Sequence, residues 1–161
     1  MKTIFATVLF FAGFLISVQA QSISENAIGI RIGDNDGFGT EVNYQRAIGD
    51  NNRLEFGLGW RSSRFVDAFK LTGLYQWVWN IDGGFNWYAG VGGGAGSYSW
   101  DRDEFPDRRS DGFAFVAGDI GIEYNFDIPL LVSLDFRPEA GFGNYRDDLG
   151  FDVGLGVRYQ F

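Results

Sequence analysis

The sequence predicts an all-β protein, an eight-stranded antiparallel up-and-down transmembrane β-barrel. Three observations carry that prediction. Apolar and polar residues alternate with period two along most of 26–161, and helical periodicity is missing. The composition joins 24 glycines and 18% aromatics with only 3 prolines, which suits strands with crowded spots that only glycine fits. The apolar faces, finally, are too bulky to be the interior of so small a barrel.

The alternation divides into eight strands. The first, over 26–33, sets Ile28, Ile30 and Ile32 against Gly29 and Arg31. The second, over 38–48, sets Phe38, Val42 and Tyr44 against Glu41, Asn43 and Gln45. The third, over 53–61, sets Leu54, Phe56, Leu58 and Trp60 against Arg53, Glu55, Gly57, Gly59 and Arg61. The fourth, over 68–80, opposes Phe69, Leu71, Tyr75, Trp77 and Trp79 to Lys70, Thr72 and Gln76. The fifth, over 85–100, opposes Phe85, Trp87, Ala89 and Val91 to Asn86, Tyr88 and a row of alternate glycines. The sixth, over 112–126, opposes Val116, Ile120, Ile122, Tyr124 and Phe126 to Asp119, Gly121 and Glu123. The seventh, over 130–142, opposes Leu130, Val132, Leu134 and Phe136 to Ser133, Asp135, Arg137 and Glu139. The eighth starts near Leu149 and runs to the end, with Phe151 to Phe161 alternating against Asp152, Gly154, Gly156, Arg158 and Gln160.

The connections after strands two, four and six are tight: 49–52, 81–84 and 127–128. The link over 101–111 is long and charged, and the other two are of middling length. Hairpin succession of this kind gives a meander, and eight strands close it into a barrel without edges.

Two barrels fit the pattern, a lipocalin-like one with the apolar face inside and a membrane one with it outside. An eight-stranded barrel holds only enough space for its own side chains. It cannot take Trp60, Trp77, Trp79, Trp87 and the many phenylalanines, whereas the glycine-rich charged face fits. The apolar face therefore points to lipid. The charged face carries Arg31, Arg53, Arg61, Lys70, Arg137 and Arg158 against Glu41, Glu55, Asp119, Glu123, Asp135, Glu139 and Asp152. Buried charges must be paired, so a near-balanced ion network is expected to fill the lumen. Of the remaining aromatics, Trp77, Trp79 and Trp87 flank the turn at 81–84. Tyr44, Tyr124, Phe126, Tyr159 and Phe161 share that rim, and Trp60, Trp100 and Phe142 lie near the opposite one. Amphipathic rings in these places suit membrane interfaces.

Bulk composition excludes several functions. The chain has no histidine and no cysteine, which removes the commonest general base and all thiol chemistry. A net charge of −8 disfavours nucleic acid as a partner. Lys2, the apolar run over 4–18 and Val18-Gln19-Ala20 read as a secretory signal peptide, 1–20, cleaved after Ala20. The barrel domain is then 21–161. A membrane anchor is the competing reading of that run, and its shortness argues against it.

With these features on the page, the chain resembles the small eight-stranded outer-membrane barrels of Gram-negative bacteria, of the OmpA/OmpX type. The resemblance covers the whole of 21–161 and rests on the leader, the eight strands, the alternation of tight turns with longer loops, and the terminal Gly156-Val157-Arg158-Tyr159-Gln160-Phe161. It implies that this terminal aromatic strand is read by the outer-membrane assembly machinery. It also implies periplasmic termini and turns, outward loops at 33–37, 62–67, 101–111 and 143–148, and outer-membrane lipids as partners. No periplasmic peptidoglycan-binding domain is expected after the last strand.

Candidate chemistry is sparse. Lipid-modifying barrels of this class use histidine, which this chain lacks. Asp119, Glu123, Asp135 and Glu139 are better read as members of the ion network than as an acid–base pair. The glycine run over 90–96 lacks the Lys-Ser/Thr of a phosphate loop, and 101–111 lacks the glycine and glutamate of a calcium loop. The expectation is therefore no enzyme, no cofactor and no metal, with a structural or surface-interaction role and a surface ligand at 101–111. A narrow pore for small solutes and a soluble secreted ligand-binding barrel are the alternatives.

Overall fold

The computed structural model describes residues 23–33, 39–62, 66–100, 110–142 and 149–161. The leader expected at 1–20 and most of the four longer loops expected from the sequence, 101–111 among them, lie outside the described residues.

The strands are β1 (Asn26–Ile32), β2 (Thr40–Ala47), β3 (Asn52–Ser62), β4 (Val66–Asp82), β5 (Phe85–Trp100), β6 (Ser110–Asn125), β7 (Leu130–Phe142) and β8 (Leu149–Gln160). Each starts and ends within about two residues of its sequence-based bounds. They pair in chain order, all antiparallel, and close into a barrel. Closure joins β1 to β8 from Ala27↔Gln160 to Ile32↔Leu155. The last residue is held there as well: Phe161 N donates to Asn26 O at 2.9 Å, and Asn26 N to Phe161 O at 3.2 Å.

The wall is uneven in height. β4 has 17 residues and β5 and β6 have 16 each, against 7 in β1 and 8 in β2. Roughly 9–11 residues cross a membrane, so β4, β5 and β6 overreach that span.

The tight turn at the end of β4 needs one special residue. Gly83 sits at φ +53°, a conformation that costs an L-residue about 1–2 kcal/mol. A Cβ there would meet nothing within 4 Å, so the cost is purely of the backbone. Gly83→Ala is therefore expected to lower stability by about 1 kcal/mol and Gly83→Asn by less, read as a shift in the urea midpoint.

Candidate functional site

Period-two burial runs the length of the barrel, and it puts charge inside. Arg31, Glu41, Arg53, Glu55, Lys70, Asp119, Glu123, Asp135, Arg137, Glu139, Asp152 and Arg158 are all buried. That set has five cations (Arg31, Arg53, Lys70, Arg137, Arg158) and seven carboxylates.

The pairs tie distant strands together. On β1, Arg31 holds two carboxylates: Nη2 lies 2.5 Å from Asp135 Oδ1 on β7, and Nη1 lies 2.5 Å from Asp152 Oδ2 on β8. From β8, Arg158 reaches Glu55 on β3 at 3.2 Å, Asn43 on β2 at 3.0 Å and Ser133 on β7 at 2.7 Å. Arg137 on β7 stands among Glu55 (3.0 Å), Glu41 (3.4 Å) and Asp119 (3.8 Å). Lys70 donates to Glu139 at 2.6 Å and lies 4.8 Å from the centre of the Phe115 ring. Arg53 pairs with Glu123 at 2.8 Å and stands 4.8 Å above the Tyr88 ring.

Neutral amides complete the set. Gln45 donates to Glu55 at 2.6 Å, Gln76 to Asp119 at 2.5 Å, and Asn86 to Glu123 at 3.2 Å. These residues, with Asn43 and Ser133, were not singled out from the sequence. Their shared phase with the charged residues was the available signal.

Arg61 is a correction. It has the inward phase on β3 but is exposed. It lies beyond Gly59, the last β3 residue paired with β2, so it belongs to the loop-side rim and not to the buried set.

The inward glycines make room for two kinds of neighbour. On β8, a Cβ at Gly154 would strike the Arg31 guanidinium and one at Gly156 would come 2.5 Å from Arg158 Nη1, so there glycine does leave room for arginine. On β5 the tenants are aromatic: a Cβ at Gly94 would come 2.6 Å from the Phe115 ring, and one at Gly96 2.5 Å from the Phe113 ring. These rings, with Ala68, Leu74, Ala117 and the flanking Tyr98, form an apolar plug above the ions. At the opposite mouth a cavity of about 10 Å³ lies among Gln45, Arg53, Asn86, Glu123 and Gln160. That is about the size of one water probe.

The outer surface is the reverse. Ile28, Ile30, Phe56, Leu58, Leu71, Val91, Val116, Ile120, Leu134, Val153 and Leu155 are all exposed. Around the turn-side rim, aromatic rings contact one another in pairs. Trp79 stacks on Trp87 at 4.3 Å, Tyr124 lies edge-on to Phe85 at 4.5 Å and to Phe126 at 4.6 Å, and Tyr159 stacks on Phe161 at 6.2 Å. Trp77 joins them through Tyr75 at 4.9 Å. Trp60 stands exposed on the opposite side. Arg46 sits at the turn-side end of β2 and pairs with Glu25 at 2.9 Å.

Three solved structures show where this architecture recurs. The N-terminal β-barrel domain of Pseudomonas aeruginosa OprF matches 86% of this chain and 100% of its own, with TM-score 0.61 and 15% identity. Neisserial surface protein A matches 84% of this chain and 94% of its own, with TM-score 0.62 and 11% identity. Ail, the attachment invasion locus protein of Yersinia pestis, matches 86% of this chain and 97% of its own, with TM-score 0.59 and 17% identity. No protein-family model and no curated protein sequence matches the chain. The fold is that of the small eight-stranded outer-membrane barrels.

Proposed function

We propose that the chain is an integral outer-membrane barrel with a sealed interior, serving a structural or surface-interaction role without catalysis. The observation that carries this is the inversion of burial: isoleucine, leucine and valine exposed around the wall, arginine and carboxylate enclosed. Water would strip such a wall by aggregation; hydrocarbon matches it. The lumen favours closure over transport. Arg137 and Arg158 cross it from wall to wall, Phe113 and Phe115 fill its loop-side half, and the mouth cavity has the size of one water. Each carboxylate faces a cation or an amide, which suits an ionic filling better than an acid–base pair.

The leader at 1–20 would take the chain across the inner membrane, and the β8 strand ending in Phe161 would be read by the assembly machinery. The overreach of β4, β5 and β6 beyond the span favours a surface ligand at 101–111. Two of the structural neighbours are called a surface protein and an attachment protein, which accords with that reading.

Two measurements test it. Cell fractionation should place the chain in the outer membrane, with faster gel mobility unheated than boiled. In planar bilayers the purified barrel should show no steady ohmic conductance; a reproducible single-channel step would replace the sealed-lumen reading with the narrow pore. Recovery in the soluble periplasmic or secreted fraction would sink the membrane reading.

A further inference from the structure

The apolar band on the outer wall is lopsided. Along the outward phase it runs without a charged or amide side chain from Phe69 to Ile81 on β4, from Leu130 to Phe142 on β7 and from Leu149 to Phe161 on β8. Each of those runs measures about 40 Å along its strand. On β1 the outward run is Ile28, Ile30 and Ile32 alone, about 13 Å. On β2 it is Val42 and Tyr44, about 7 Å. Strands of one barrel share a common tilt, so these lengths compare directly. A spanning strand needs roughly 9–11 residues, and β1 and β2 present less than half of that to lipid.

Polar groups fix both ends of the short run. On the turn side the next outward residue after Ile28 is Asn26. Its Oδ1 accepts from Tyr44 Oη at 2.6 Å and from Arg46 Nη1 at 2.7 Å, and Arg46 also pairs with Glu25 at 2.9 Å. On the loop side Thr40 stands exposed opposite Ile32, and the sequence after Ile32 reads Gly33-Asp34-Asn35-Asp36. The neighbouring strands show how abrupt the step is. β8 pairs with β1 only as far as Ile32↔Leu155. Its outward face continues through Val153, Phe151 and Leu149, all exposed, about 20 Å of strand beyond the last isoleucine. On the other flank Arg46 lies opposite Leu54 of β3, so the band narrows from the turn side too.

A bilayer thick enough for β4 to β8 would cover Asn26, Thr40 and Arg46 with hydrocarbon, which is costly for polar groups. A short apolar span is accommodated by snorkelling, by oligomerising or by thinning of the bilayer. Asn26 and Thr40 are too short to snorkel. The one ion pair on this face, Arg46–Glu25, is already complete within the chain, so no charge is left for a second copy to complement. Thinning remains. We propose that the face formed by β1 and β2 sorts lipids by length, gathering short acyl chains around Ile28, Ile30, Ile32 and Val42 while longer chains cover the rest of the wall. The inference rests on the membrane reading above and names the lipid that one side of the barrel takes.

The chain has no cysteine, so single probes can be placed by substitution. Ile30→Cys, in the middle of the short run, and Val91→Cys, midway along β5, are each labelled with bimane in the barrel over 21–161. Each is reconstituted into vesicles of dibromostearoyl phosphatidylcholine alone, and of its equal mixture with unbrominated didodecanoyl phosphatidylcholine. Both probes should be quenched in the pure brominated lipid. In the mixture, quenching at Val91 should follow the bulk composition, whereas the short lipid should be enriched about two- to ten-fold at Ile30 and leave that probe brighter. Adding Thr40→Leu and Arg46→Leu lengthens the band on β2 and should bring the two probes together. Equal fractional quenching in the mixture, or a difference that survives the added leucines, overturns the sorting face and leaves the membrane reading intact. A probe at Ile30 that stays bright in pure brominated lipid, while the one at Val91 is quenched, places a second copy on this face and overturns the lipid occupant. Absence of quenching at both positions overturns the membrane reading as well.

Discussion

Replacing Arg31 with leucine is expected to cost the folded barrel about 3–5 kcal/mol, the penalty for removing one partner of a buried ion pair. Arg31 holds two carboxylates at once, Asp135 and Asp152, each at 2.5 Å. Its Nε also donates to Asp135 at 2.9 Å. Both carboxylates are buried, so neither can turn to water when the guanidinium goes. The three residues come from β1, β7 and β8, so the loss falls on the seam that closes the barrel. Urea unfolding followed by tryptophan emission in lipid vesicles reads the effect. The triple variant Arg31→Leu, Asp135→Asn, Asp152→Asn should recover most of the loss, because neutral amides carry no uncompensated charge. A loss under about 1 kcal/mol in the single variant would show that water reaches these carboxylates, and the closed interior would have to be abandoned.

The barrel was largely legible from period-two alternation, because strand geometry allows only two directions for a side chain. Once β8 is read as Phe151, Val153, Leu155, Val157 and Tyr159 on one face, its other face follows without further information. Direction alone does not give height. Arg61 alternates correctly but stands past the end of the β2–β3 ladder, and only the register Glu41↔Gly59 reveals that it has left the enclosed zone. Partner choice was likewise out of reach. Glu55 on β3 meets Arg158 of β8 and Arg137 of β7, strands separated from it by around half the wall, and such contacts depend on how the lumen is crossed by long side chains. The inward glycines of β5 signal space in the sequence but not which side chains occupy it. The structure fills that space with Phe113 and Phe115, the inward residues of the strand hydrogen-bonded to it.

Val91→Arg is expected to destabilise the barrel by about 2–4 kcal/mol in a bilayer, whereas Trp60→Arg should cost about 0–1 kcal/mol. Both residues are exposed, Val91 at 56% and Trp60 at 53%, so any difference between them arises from the surroundings of the barrel and not from its packing. Val91 lies midway along the outward face of β5, opposite Tyr75 of β4 and Gly118 of β6. An arginine there sits at the depth where hydrocarbon is driest. Trp60 stands at the loop-side end of β3, two residues from the end of its ladder with β4 at Ser62↔Asp67, where a guanidinium reaches headgroups and water. For a water-soluble barrel the physics reverses: an arginine at either exposed position would change stability by no more than about 0.5 kcal/mol. Reversible unfolding of the two variants beside wild type in phosphatidylcholine vesicles therefore decides what the wall touches. A depth-dependent penalty, large at Val91 and small at Trp60, is the outcome that lipid contact requires, and near-equal small effects at both would place the apolar wall in some other environment.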